Sequence, residues 1–196
     1  MTERELVLSG IGGQGIQLAA QVVARAAIAE GKQVQLFGSY GGMMRGGNTE
    51  ATIVVGDEPV EAPPTISSTW SAILMHHDYV EPTLSLLRPG TIVLRNSTVY
   101  EGDVDVEGIE LLDVPATELA VGVGNIMTAS MVMAGAYAKR TGLVSLDSLK
   151  EAVTASLPSY RSKHVDLNVS ALDVGYAAVS EPSGDGFGAQ PRGAQC

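Results

Sequence analysis

Two glycine-rich segments near the start of the chain carry most of its capacity for chemistry. Gly10-Ile11-Gly12-Gly13-Gln14-Gly15 follows the apolar run Glu5-Leu6-Val7-Leu8-Ser9 and leads into an alanine-rich segment. Its Gly-x-Gly-x-x-Gly spacing suits a tight turn from strand to helix, where the helix N-terminus offers unpaired N–H groups to an anion. Gly38-Ser39-Tyr40-Gly41-Gly42-Met43-Met44-Arg45-Gly46-Gly47 follows a second run, Gln33-Val34-Gln35-Leu36-Phe37. Two such loops, separated by one helix, place two donor-rich backbones at the same edge of a parallel sheet. That edge is where open α/β folds take ligands or partners.

A dinucleotide site would also need an acid at the end of the second strand to hold the ribose. Phe37-Gly38-Ser39 stands there instead, which argues against a bound nicotinamide cofactor. Arg45 is the sole cation of its loop, with glycines on its C-terminal side. Its guanidinium is suited to fork onto a carboxylate or phosphate, or onto an acid of another subunit. Met43 and Met44 beside it are adaptable side chains that suit a protein-contact surface. His76-His77-Asp78 invites a metal reading, but adjacent residues leaving a strand point to opposite faces. No Glu-x-x-His or His-x-x-x-His partner stands elsewhere, so no metal site and no catalytic residue is assigned.

Composition narrows the classes further. The 196 residues are 45% hydrophobic, and the formal net charge is −10. That sign disfavours nucleic acid, whose affinity rests on cations, and an anionic membrane surface. The single cysteine, Cys196, cannot by itself hold a zinc ion or an iron–sulfur cluster. The N-terminus lacks a signal pattern, and a soluble cytoplasmic protein is expected.

Strand and helix patterns alternate through the first half. Strands are expected at 4–9, 33–37, 51–55, 70–75, 91–94 and 109–112, the third pairing antiparallel at a sheet edge. Helices are expected over 14–30, stopped by Gly31, and over 79–87, with a proline-bearing loop at 57–69 between strands. The acids Glu101, Asp103, Asp105 and Glu107 suit a solvated turn. In the second half Asn125 is placed to cap a helix to about Arg140, with Gly142 as its stop. Ser145 begins another, and Val165, Val169, Leu172 and Tyr176 share a face of the last. The class is α/β, a Rossmann-like and mostly parallel sheet flanked by helices with a helical C-terminal half. Residues 1–179 are expected to form one domain and 180–196 a disordered tail.

The order of the motifs resembles the γ subunit, or γ domain, of 2-oxoacid:ferredoxin oxidoreductases, the pyruvate, 2-oxoglutarate, 2-oxoisovalerate and indolepyruvate enzymes. The likeness runs from Gly10–Gly15 through Ser39-Tyr40-Gly41, Arg45-Gly46-Gly47 and Asp57-Glu58-Pro59-Val60. It continues through Leu87-Arg88-Pro89-Gly90, Asn96-Ser97, Gly124-Asn125-Ile126-Met127 and Ala134-Gly135-Ala136 to Asn168, Ala171 and Gly175. Many relatives carry Pro-Glu where this chain has Gly42-Met43.

The resemblance implies oxidative decarboxylation of a 2-oxoacid to an acyl-CoA with electrons passed to ferredoxin. It implies that thiamine diphosphate, magnesium and iron–sulfur clusters sit in partner subunits, among them a thiamine-binding subunit and a ferredoxin-like one. This chain would be non-catalytic and bind no cofactor alone. Gly12, Gly13, Gln14, Gly15, Arg45, Gly46 and Asn125 would then contact coenzyme A or a partner. Tyr40, Met43, Met44 and the 59–64 loop would form the partner surface. A free-standing Rossmann-type nucleotide-binding oxidoreductase is the alternative.

Overall fold

The computed structural model describes residues 3–40, 46–60, 66–157 and 162–181. Arg45, Met43, Met44, Pro63, Pro64, Cys196 and nearly all of the expected tail lie outside these residues.

Six strands form one mixed sheet in the order β2-β3-β1-β4-β5-β6. They are β1 (Arg4–Ile11), β2 (Gln33–Tyr40), β3 (Asn48–Gly56), β4 (Ser71–Leu74), β5 (Ile92–Asn96) and β6 (Glu110–Val114). β1, β4, β5 and β6 pair in parallel, whereas β3 is antiparallel to both β1 and β2. The expected antiparallel strand therefore exists, but it is not at the edge. β3 is wedged between β1 and β2, and β2 is the edge. This placement explains why the first three strands outrun their expected lengths. Asn48 pairs with Ile11 and Thr49 with Tyr40, so β3 zips residues that read as loop into ladder.

The helices are α1 (Ile16–Ala29), α2 (Glu81–Leu84), α3 (Ala116–Val123), α4 (Ala129–Thr141), α5 (Leu146–Ser156) and α6 (Ser162–Ala177). One face of the sheet, with Leu6, Leu8, Ile53, Ile73 and Leu94, is buried against α1 and the C-terminal helices. Alanines 19, 20, 24, 26 and 27 of α1 are buried, and their small side chains let the helix lie close to the strands. Gly38 extends that closeness to β2, because a Cβ there would meet the side chain of Gln17, whose Nε2 donates to the Glu50 carbonyl at 2.8 Å. The other face carries a smaller cluster of Ala72, Leu74, Val93, Val80, Leu87 and Tyr100.

α4 and α6 cross with backbones in contact. A Cβ at Gly135 would strike the Leu172 carbonyl, and one at Gly175 the Val132 carbonyl. Two helices approach this closely only where a side chain is missing from both. The turn acids 101, 103, 105 and 107 are exposed, as expected.

One helical expectation is corrected, and one helix is new. The helix expected over 79–87 is a single turn. Leu86 and Leu87 bond three residues back, and Arg88 Nη1 takes the carbonyls of Ser85 and Leu87, which closes the turn early. α3 is an additional helix, anchored from outside: the Asn96 side chain at the end of β5 accepts from Thr117 N and donates to its hydroxyl. Gly124, in the left-handed region at φ 104°, ends it.

Candidate functional site

β1 and β2 run in the same direction, so both glycine-rich segments emerge at one edge of the sheet. There they are joined: Gly12 N donates to Gly47 O at 2.8 Å. A Cβ on Gly12 would lie 3.3 Å from Gly46 N. The N–H of Gly12 is thereby committed to holding the two loops together.

Gln14 closes the first loop from inside. Its Oε1 accepts from Ile11 N at 2.9 Å, and its Nε2 donates to the Met75 carbonyl beyond β4 at 3.1 Å. Gln14 N also donates to Ile11 O at 3.2 Å. The side chain is thus a clamp between β1 and β4. Gly15 is the N-cap of α1 in the left-handed region, with no side-chain cap. A Cβ there would lie 2.6 Å from Ser130 Oγ, so the start of α4 sits directly against the start of α1. Gly13, at φ 105°, faces open space. The first-turn N–H groups of α1 have no partner within the helix.

Asn125 caps a 3-10 turn (Ile126–Thr128) rather than α4 itself, which begins one residue later. Its Oδ1 accepts from Met127 N at 3.0 Å. The Met127 carbonyl is 3.9 Å from the position a Gly15 Cβ would take, which brings Asn125 to the same edge. The structure therefore gathers Gly12, Gly13, Gln14, Gly15, Gly46 and Asn125 at one place; Arg45 lies outside the described residues.

An apolar rim that the sequence motifs do not announce borders this edge. Val121, Ile126 and Met127 are 59%, 55% and 57% exposed, on the end of α3 and the turn that follows. Exposed large hydrophobics side by side mark a contact surface. The signal was present in Val121-Gly122-Val123-Gly124-Asn125-Ile126-Met127, an apolar run interrupted by helix-stopping residues.

His76 and His77 do not diverge as the alternation of a strand predicts. β4 ends at Leu74, and Tyr79 adopts φ 60°. The chain turns, and the two imidazoles lie together with centroids 4.3 Å apart.

The topology removes the dinucleotide reading. In a dinucleotide fold the second strand lies beside the first, so that its terminal acid reaches the ribose. Here β3 separates them, and β2 ends in Phe37, Gly38, Ser39 and Tyr40 without an acid. Among the described residues no helix is long and apolar enough to cross a membrane.

Residues 5–178 match the family described as pyruvate ferredoxin/flavodoxin oxidoreductase. The chain is 30% identical over 184 residues to 2-oxoglutarate synthase subunit KorC of Methanothermobacter marburgensis, covering 91% of this chain and 97% of that one. It resembles the crystal structure of a keto/oxoacid ferredoxin oxidoreductase γ subunit from Geobacter sulfurreducens. There the TM-score is 0.75 and the identity 26%, over 91% of this chain and 97% of the other. The same fold recurs in the 2-oxoglutarate:ferredoxin oxidoreductase of Magnetococcus marinus, solved with 2-oxoglutarate, coenzyme A and succinyl-CoA. That match has TM-score 0.81 and 20% identity, over 91% of this chain and 31% of the longer one.

Proposed function

The chain belongs to the pyruvate ferredoxin/flavodoxin oxidoreductase family, and we propose that it is the γ subunit of a multi-subunit 2-oxoacid:ferredoxin oxidoreductase. The complex would oxidatively decarboxylate a 2-oxoacid to an acyl-CoA and pass the electrons to ferredoxin. A free-standing nucleotide-binding oxidoreductase is not supported, because the relatives are subunits and β3 separates the strands such a site needs.

This chain supplies no redox centre. One cysteine in the sequence cannot by itself ligate a cluster, so iron–sulfur clusters would sit in partner subunits, and the family resemblance places thiamine diphosphate and magnesium there too. What the chain supplies is an edge. The observation that carries this reading is the Gly12–Gly47 bond, which fuses both glycine loops into one surface beside exposed Ile126 and Met127.

Coenzyme A fits that edge by the chemistry of the donors. The backbone at Gly13 is open on its side-chain face, and the uncapped start of α1 presents N–H groups to a phosphate. Arg45, next to Gly46, would add a bidentate guanidinium. Asn125 would hold the turn that borders the ligand.

Co-expression with the neighbouring open reading frames tests it. The chain is expected to co-purify with a thiamine-binding subunit and a ferredoxin-like one. A monodisperse monomer at micromolar concentration, with no partner retained, would contradict it.

A further inference from the structure

His76, His77 and Asp78 are the one group of metal-ligating side chains brought together among the described residues, with ligand atoms all within 4.8 Å of one another. Asp78 lies against both rings, its Oδ2 3.6 Å from His76 Nδ1 and its Oδ1 3.7 Å from His77 Nε2. A tetrahedral ion bound at ~2.0–2.2 Å separates its ligand atoms by about 3.4 Å. Each imidazole nitrogen already lies within a few tenths of an ångström of that distance from one Asp78 oxygen, a different oxygen for each ring.

We propose that His76, His77 and Asp78 form a site for a divalent transition-metal ion of the zinc class. Two imidazoles and one carboxylate suit such an ion better than magnesium or calcium, which take oxygen ligands. With three ligands from the protein, at least one coordination position is open to an outside oxygen or nitrogen atom. The site stands at the same sheet edge as the glycine loops, one residue from the Met75 carbonyl that Gln14 holds. It does not depend on the subunit reading.

Without metal, backbone donors hold both rings. Asp78 N–H donates to His76 Nδ1 at 3.0 Å and Glu101 N–H to His77 Nδ1 at 3.2 Å. The Tyr100 ring stands edge-on to His77 with centroids 6.3 Å apart. Metal at His76 Nδ1 takes the place of the Asp78 N–H. Ligation through His77 Nε2 moves that ring's proton to Nδ1, and the Glu101 contact is given up. Loading therefore leaves a mark on two specific amides.

The test is titration of the full chain, stripped with chelator, with Zn(II) and with Co(II). Uptake is followed by calorimetry, by Co(II) absorption and by the amide resonances of Asp78 and Glu101. Cys196→Ser removes the sole thiol, and His164→Gln the one other histidine. The expected result is one equivalent bound, with both amides shifted. Affinity should fall more than about tenfold in His76→Gln, His77→Gln or Asp78→Asn and stay unchanged in the two controls. Binding that survives the histidine variants, shifts confined to other amides, or no binding at ~1 mM metal would each overturn the proposal. The wild-type amide shifts decide the matter even if a variant fails to fold.

Discussion

Gly12 donates to Gly47 across 2.8 Å, and that bond makes one edge out of two loops lying on either side of a helix and a strand. The proposed subunit role depends on that edge keeping its shape, and Gln14 holds its other side. Gln14→Ala leaves Ile11 N and the Met75 carbonyl without their partner in partly buried positions. The expected loss is about 1–3 kcal/mol, read from urea unfolding, together with weaker assembly. Unchanged stability would show that the clamp is replaced by water.

The crossing of α4 and α6 gives a prediction about the core. Gly135→Ala and Gly175→Ala each drive a methyl group into a facing carbonyl, and the cost is about 1–3 kcal/mol apiece. The sites share one helix–helix contact, so the double variant should cost less than the sum, since a single displacement relieves both. Strict additivity in chemical denaturation would show that the helices do not move as a pair.

Ile126 and Met127 separate folding from assembly. Both are more than half exposed, so serine at either position should change monomer stability by less than about 0.5 kcal/mol. At the centre of an interface the same change should weaken partner binding by more than about 1 kcal/mol. Melting temperature and subunit affinity, measured side by side, test the contrast; equal affinity would place the interface elsewhere.

Tyr137 predicts an alkaline limit. Its ring is fully buried, and burial pushes its hydroxyl well above the ordinary range. The hydroxyl donates to Ser71 Oγ at 3.0 Å, since Ser71 Oγ itself donates to the Glu5 carbonyl. With the folded value raised, the contribution of this group is full below the unfolded value near 10 and is lost as pH climbs beyond it. Tyr137→Phe should cost about 0.5–1.5 kcal/mol at neutral pH and flatten the loss of stability above pH ~10. Parallel unfolding curves for both proteins at pH 7 and pH 11 would contradict this.

Much of the fold was legible because its signals are local. Glycine stops after α1 and α4, the Ser145 cap of α5 and the apolar runs of the strands each reside within a few residues. The position of β3 was not legible, since pairing with β1 or with the sheet edge uses the same alternating run. α3 escaped notice because valines and glycines dilute its helical pattern while Asn96, twenty residues upstream, supplies its anchor. At the site, Gly10, Gly12 and Gly15 stand at the spacing of the glycine fingerprint, while Gly13 is named only through the family resemblance. The commitment of the Gly12 N–H and of the Gln14 side chain to the loop's own structure was not legible. The His76–His77 contact was hidden for a similar reason: a turn at Tyr79 overrides the alternation of a strand.

The central claim is that this chain completes an oxidoreductase without catalysing anything alone, and add-back of the purified chain tests it most directly. The partner subunits are expressed without it, and reduction of ferredoxin is followed with a 2-oxoacid and coenzyme A before and after its addition. The account predicts no activity from the isolated chain and coenzyme A-dependent reduction only when it is present. Arg45→Ala and Arg45→Lys should both raise the KM for coenzyme A or weaken assembly, since a lysine cannot supply the forked contact. Full activity of the partners without this chain, or a thermal shift of the isolated chain by NAD(H) of the order of ~2.7 kcal/mol at a hundredfold excess over Kd, would contradict it.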